Sequence, residues 1–306
     1  MEFTKLGIEN AESDPVLCPS LSPASSNSAL SNTDLFPSSK PFMPVVPADQ
    51  VKNEEVKTWQ GVHLLYFDGS LCVRKVQLVL ALKGIAYTKH RVSMQDLHTE
   101  WYLGINPRGL VPVLVHDGVV IIESNDILEH LEEAFPTAEP RLTPADLGEA
   151  QSVAEYLRTQ DDYHMHIRTL TFKCMMPEPV MVQMAMGKVS QMDKEDAEMA
   201  IVDVESAGGQ GRADQRAFYE AVVANRGIPD AQVATSVARF REVLAGFDID
   251  YKDREFLVGG NLTMADVAIW VDFERLLKVA PDGFAPADEF VSLAAAFRRL
   301  ALQGAL

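Results

Sequence analysis

The chain has 306 residues, 47% hydrophobic and 23% charged, enough for two domains of ordinary size with substantial cores. A formal net charge of -17 repels phosphate backbones and anionic lipid, which argues against nucleic acid and membrane as partners. Cys18, Cys72 and Cys174 form no disulfide framework and no zinc-spaced cluster, no apolar run reaches membrane-spanning length, and the acidic N-terminus is unlike a transit peptide, so a cytoplasmic protein without a metal is expected.

Residues 1–58 are rich in Ser, Pro and Asn and carry no sustained period of two or 3.6, so they are expected to be a disordered tail. Its Ser22-Pro23 pair fits either a regulatory site or a plain spacer. Ordered sequence begins with the apolar run His63–Phe67, read as a strand. Val73, Val76 and Leu80 have helical spacing before Lys83-Gly84, which predicts a helix over 72–83. Residues 86–92 alternate as a second strand, and 96–103 form a short helix. Two β-branched runs flank Asp117-Gly118, a pair suited to a type I′ hairpin turn. Ser124 then opens an amphipathic helix that ends near Phe135-Pro136. The order β-α-β-α-β-β-α places a mixed domain over 59–140.

Residues 141–306 read as all-helical, with helices expected over 144–172, 178–189, 194–204, 212–225, 230–247, 263–277 and 286–302. Gly208-Gly209-Gln210-Gly211 is expected to be a flexible break. Thr263 and Asp266 have the spacing of a helix-capping box.

Several residues of the mixed domain carry possible chemistry. Pro112 stands where an extended segment enters a strand. With a cis Val111–Pro112 bond the chain turns sharply and presents the Val111 N–H and C=O to an extended peptide; with a trans bond Pro112 only starts the strand. Ser124 and the N–H groups behind it suit a carboxylate, and Glu123 suits an ammonium. Alternatively Ser124 only caps the helix and Glu123 only complements its dipole.

Taken together, NPRGLVPVLVHDG followed by ESNDILEHLEEAFP resembles the glutathione-binding half of the glutathione transferases. The resemblance implies an α/β thioredoxin-like N-terminal domain followed by an all-α domain. It makes Pro112 the cis-proline, Val111 the residue whose backbone pairs with the cysteinyl part of glutathione, and Glu123 and Ser124 the γ-glutamyl binders. Capping patterns like that in GGNLTMADVAIW are usual in the family's helical domain.

The run GSLCVRKV is most similar to the Ser-containing classes, zeta above all, which puts Ser70 at the active position. Leu71 departs from that class, where a second Ser usually follows. In that role the Ser70 hydroxyl donates to the glutathione thiolate and, with the helix N-terminus, lowers the thiol pKa. The alternative is that Ser70 is only an N-cap. Cys72 is a rival centre for thiol transfer, or simply a small buried hydrophobe. The glycine carboxylate needs a cation, and either His98 or Arg108 could supply it or be a solvated loop residue.

The resemblance also implies a homodimer and an acceptor site between the domains, lined by residues such as Tyr163, His166 and Leu170. His164 and His166 diverge on a helix, so no shared metal is expected. The extra length over 177–230 resembles bacterial β-aryl-etherases, which makes an aryl ether one candidate electrophile. The expected function is therefore a glutathione transferase acting on a hydrophobic electrophile. The competing readings are a Cys72-dependent thiol transferase and a non-catalytic binding protein of the same fold.

Overall fold

The computed structural model describes residues 45–199 and 209–302. They fall into two units, 45–160 with 256–271 and 161–255 with 272–302.

The first unit contains β1 (Val62–Tyr66), α1 (Leu71–Leu82), β2 (Thr88–Arg91), α2 (Glu100–Leu103), β3 (Val113–His116), β4 (Val119–Ile122) and α3 (Ser124–Ala134), in the expected order. The sheet runs β2-β1-β3-β4, with β1 parallel to β2 and antiparallel to β3, and β3 antiparallel to β4. This is the thioredoxin-like arrangement. The turn between β3 and β4 has positive φ at both Asp117 (48°) and Gly118 (80°), as a type I′ turn requires.

Both faces of the β1-β3-β4 part of the sheet are buried, while β2 is largely exposed, and strand alternation sorts the side chains between the faces. Leu65, Val113, Val115, Val120 and Ile122 join one cluster with Tyr102 and Ile105. The side chains between them, such as Leu64, Leu114 and Ile121, are also fully buried, as are Val76, Val79 and Leu80 of α1 and Ile127, Leu128 and Leu131 of α3. At the far end of α1, the buried Lys83 ammonium bonds Glu132 of α3 at 2.6 Å and the carbonyls of Ala138 and Pro140. Glu132 also accepts the backbone N–H groups of Leu142 and Thr143, so the pair is enclosed by hydrogen bonds.

The expected boundary at residue 58 needs correction. Val46, Val51 and Val56 enter the core, 6%, 3% and 0% exposed. Val45 bridges Ile121, and the Val46 N–H donates to the Val120 carbonyl, so this strap covers the outer edge of β4. The N–H groups of Lys52 and Asn53 bond the Gly104 carbonyl. Burial of the valines and capture of backbone groups offset the ordering entropy that composition alone suggested would win. Residues 1–44, with Ser22, lie outside the described residues.

The remaining helices are α4 (Leu147–Met175), α5 (Glu178–Met199), α6 (Gly209–Asn225), α7 (Asp230–Tyr251), α8 (Met264–Val279), α9 (Pro286–Glu289) and α10 (Val291–Leu302). Two expected helices, 178–189 and 194–204, are one through Met199, because the Gly187 and Ser190 region keeps the helical ladder. Gly209 to Gly211 form the start of α6 rather than a break, and Gly208 lies outside the described residues. The expected final helix is divided at Phe290. The capping box before α8 is present: the fully buried Asp266 carboxylate accepts the Thr263 N–H at 2.9 Å, the Thr263 hydroxyl at 2.8 Å and the Leu257 N–H at 2.8 Å.

Candidate functional site

Ser70 precedes α1 with extended backbone, φ -71° and ψ 125°, and its Oγ accepts the Val73 N–H at 3.3 Å. The hydroxyl therefore caps the helix. Capping occupies an oxygen lone pair, while the O–H proton is a separate donor, so the two readings of Ser70 are compatible. Cys72 is half-buried, in the first turn of α1.

The Val111–Pro112 bond is cis. β3 begins at Val113, so Val111 lies outside the ladder, and among the described residues its backbone makes no hydrogen bond. The loop leading to it is pinned from beneath. The Leu110 carbonyl accepts both the Tyr102 hydroxyl, at 2.6 Å, and the Asn106 amide, at 2.8 Å. Tyr102 is fully buried, and burial pushes its phenol pKa far up, so it stays a donor. Neither Tyr102 nor Asn106 was singled out from sequence. Asn106 stands directly before Pro107, a turn-initiating pair, and that was the available signal.

At the start of α3 the expected cap shifts by one residue. Glu123, not Ser124, is the N-cap, with φ 65° and ψ 125°, and no side chain caps the helix. A non-glycine residue in the left-handed region costs about 1–3 kcal/mol and tends to mark functional turns. The first intrahelical bond joins the Ile127 N–H to the Glu123 carbonyl, so the N–H groups of Ser124, Asn125 and Asp126 precede the ladder. Half-buried Ser124 is thus the first helical residue.

The Arg108 guanidinium donates to the Glu123 carboxylate. Arg108 therefore sits beside Glu123 at the start of α3. His98 ends a short 3-10 turn, Asp96–His98, and is exposed. A further residue had no assigned role from sequence: buried Lys75 of α1 donates to the side-chain oxygens of Asn125 in α3 and, at 2.9 Å, Gln160 in α4.

The second unit holds the residues expected to line an acceptor site. Tyr163 and Leu170 are each 1% exposed. The Tyr163 hydroxyl donates to Asp272 at 2.7 Å and its ring packs edge-on against Phe240, so it is interior to its own unit. His166 is half-buried, with Nδ1 3.1 Å from the Ser236 hydroxyl. Burial first, and then Arg239, push its pKa down to about 4, so it is neutral near pH 7. Among the described residues no group of three or more His, Cys, Asp or Glu is arranged to hold a metal, and no helix is long and apolar enough to cross a membrane.

The strand order, the cis-proline loop and the capped α1 define a thioredoxin-like domain. Residues 64–141 match the family model of the glutathione S-transferase N-terminal domain. Among curated relatives, Protein LigF of Sphingobium sp. (strain NBRC 103272 / SYK-6) is 42% identical over 83 residues, 26% of this chain and 32% of LigF. Maleylacetoacetate isomerase of Mus musculus is 40% identical over 91 residues, 28% of this chain and 41% of the isomerase. The chain thus matches well under half the length of these relatives. The crystal structure of β-etherase LigF from Sphingobium sp. strain SYK-6 superposes with a TM-score of 0.61 at 22% identity, covering 80% of this chain and 97% of that one. A theta class glutathione S-transferase from Xanthomonas axonopodis pv. citri, with glutathione bound, gives 0.58 at 19% identity, covering 81% and 95%. These likenesses extend the glutathione transferase fold beyond the matched domain.

Proposed function

We propose that this chain is a glutathione transferase that activates the glutathione thiol for attack on a hydrophobic electrophile. The observation that carries the reading is the Val111 backbone, outside the ladder beside a cis proline in a domain whose first helix is capped by Ser70. Glutathione would lie extended along Val111. Its γ-glutamyl ammonium would go to Glu123 and its α-carboxylate to Ser124, the α3 N–H groups and Arg108, which stands at that end. His98 remains the basic residue for the glycine carboxylate.

Bound there, the sulfur meets the Ser70 hydroxyl and the N-terminus of α1, both of which favour the anion. The thiolate attacks the electrophile, a carbon–sulfur bond forms, and the leaving group departs with the bonding pair. No side-chain nucleophile is needed. Ser70→Ala is expected to slow conjugation of an aryl halide by about 100-fold, with glutathione affinity changed less than about threefold. Equal turnover by the two proteins would reject Ser70, and no glutathione binding at millimolar ligand would reject the transferase reading.

One observation favours a finer substrate class: the likeness to LigF, described as a β-etherase, in both sequence and fold. Under this reading the thiolate displaces an aryloxide from an aryl ether. Release of the phenol from a β-aryl ether model compound, dependent on glutathione and lost in Ser70→Ala, tests it.

A further inference from the structure

Lys75 lies five residues beyond Ser70 on α1 and is only 3% exposed. Its ammonium donates to Asn125 Oδ1 and to Gln160 Oε1, both neutral amide oxygens. A buried cation is costly without compensation, and an apolar residue would serve a purely packing role better. Lys83, two turns further along, shows the compensated form, with the Glu132 carboxylate at 2.6 Å. Among the described residues no carboxylate pairs with Lys75 in that way. Two directed bonds to amides supply orientation, and they keep the positive charge.

Where those bonds lead gives the orientation its use. Asn125 is the second residue of α3, next to Ser124 and one removed from Glu123. A single ammonium therefore fastens the helix that Ser70 caps to the first turn of α3, and fastens both to α4 through Gln160. Its charge also lies behind the N-terminal end of α3, where it adds to the attraction of the helix for a carboxylate.

We propose that Lys75 is a positioning residue of the glutathione site, setting the first turn of α3 against the Ser70 end of α1 so that the γ-glutamyl group and the sulfur are received together. The inference rests on the glutathione reading. Lys75 would act at the γ-glutamyl end, through Asn125, and Ser70 at the sulfur, so the two can be separated by measurement.

The test uses the full chain, with glutathione titrated calorimetrically and the bound thiol titrated by its thiolate absorbance at saturating glutathione. Lys75→Met is expected to weaken glutathione by about tenfold while the bound thiol pKa stays within about 0.3 units of the unaltered protein. Ser70→Ala should do the reverse. Lys75→Arg, which keeps charge and donors, should recover part of the affinity. Asn125→Ala removes one acceptor and is expected to cost about threefold; it also decides the matter if Lys75→Met does not fold. Affinities within twofold of the unaltered chain in every folded variant overturn the proposal, as does a thiol pKa that rises along with the loss of affinity. An unaltered chain that binds no glutathione overturns the functional reading and this inference with it.

Discussion

Single residues in this domain hold more than one duty, and the duties are separable because they use different atoms. Ser70 gives a lone pair to the Val73 N–H and retains an O–H proton, which the proposed function assigns to the glutathione sulfur. Glu123 caps α3 with its backbone at φ 65° while its carboxylate meets Arg108. Gly118 likewise answers two demands. Its φ of 80° belongs to the hairpin turn, and a Cβ there would come within 2.3 Å of the Lys57 carbonyl oxygen in the strap. Gly84 has a comparable φ of 62° but nothing within 4 Å of its Cβ position. Gly118→Ala is therefore expected to cost about 3 kcal/mol and Gly84→Ala about 1 kcal/mol, from backbone strain alone. Urea unfolding of the two variants measures the difference, and equal losses would show that the Lys57 contact relaxes freely.

Between elements, paired polar side chains complete what the apolar faces begin. Lys83 and Glu132 tie α1 to α3 and to the connection that follows, and each has its remaining bonds filled. Lys83→Met takes the nearer cation from a buried carboxylate, leaving it only Arg141 at 3.9 Å, and is expected to destabilise the fold by about 3 kcal/mol, read by chemical denaturation. Two histidine pairs make similar ties. His63 Nδ1 meets His90 Nε2 at 2.9 Å between β1 and β2, under the Trp59 ring, and His116 Nδ1 meets His130 Nε2 at 2.9 Å between β3 and α3. Each contact needs one N–H and one lone pair, so a second proton breaks it. Burial first, and then the partner imidazole, lower the pKa of His90 and of His130 below the ordinary 6.5. The unfolded chain thus binds more protons than the folded one just below 6.5. The stabilisation is present above that pH and is lost as pH falls through the lowered values. The midpoint of urea unfolding should decline from about pH 7.5 to about pH 5.5, with a shallower slope when His90 and His130 are both replaced by Gln. An unchanged slope would assign the acid sensitivity to other groups.

Across the whole molecule, what the sequence made legible was local and what it hid was remote. Asp117-Gly118 between β-branched runs, the apolar spacing of α1 and the Thr263-Asp266 box each express their structure within a few residues. The cis Val111–Pro112 bond was reachable through the family resemblance of the surrounding motif, whereas the Glu123 turn was not, the cap being expected at Ser124. Lys75 joins residues 50 and 85 positions away, and no window of sequence contains that link. Tyr163 and Leu170 were expected to line an acceptor site, but an apolar helical stripe does not say which neighbour covers it; each is 1% exposed. The strap was hidden for a different reason. Val46, Val51 and Val56 share neither the period of a helix nor that of a strand, and they lie among Pro, Asn and Asp, so only the sheet they cover reveals them. Their burial implies that the folding unit includes the residues from 45 onward, ahead of the family match at 64. Removal of residues 1–58 should then leave the chain less stable than removal of 1–44. Three buried valines at about 1.5 kcal/mol each set the scale, and the uncovered edge of β4 adds a tendency to self-associate. Urea denaturation and light scattering of the two truncated proteins decide it. Equal midpoints and equal scattering would place the start of the folding unit after the strap, whereas a loss confined to the shorter protein makes residues 45–58 part of the domain that is proposed to hold glutathione.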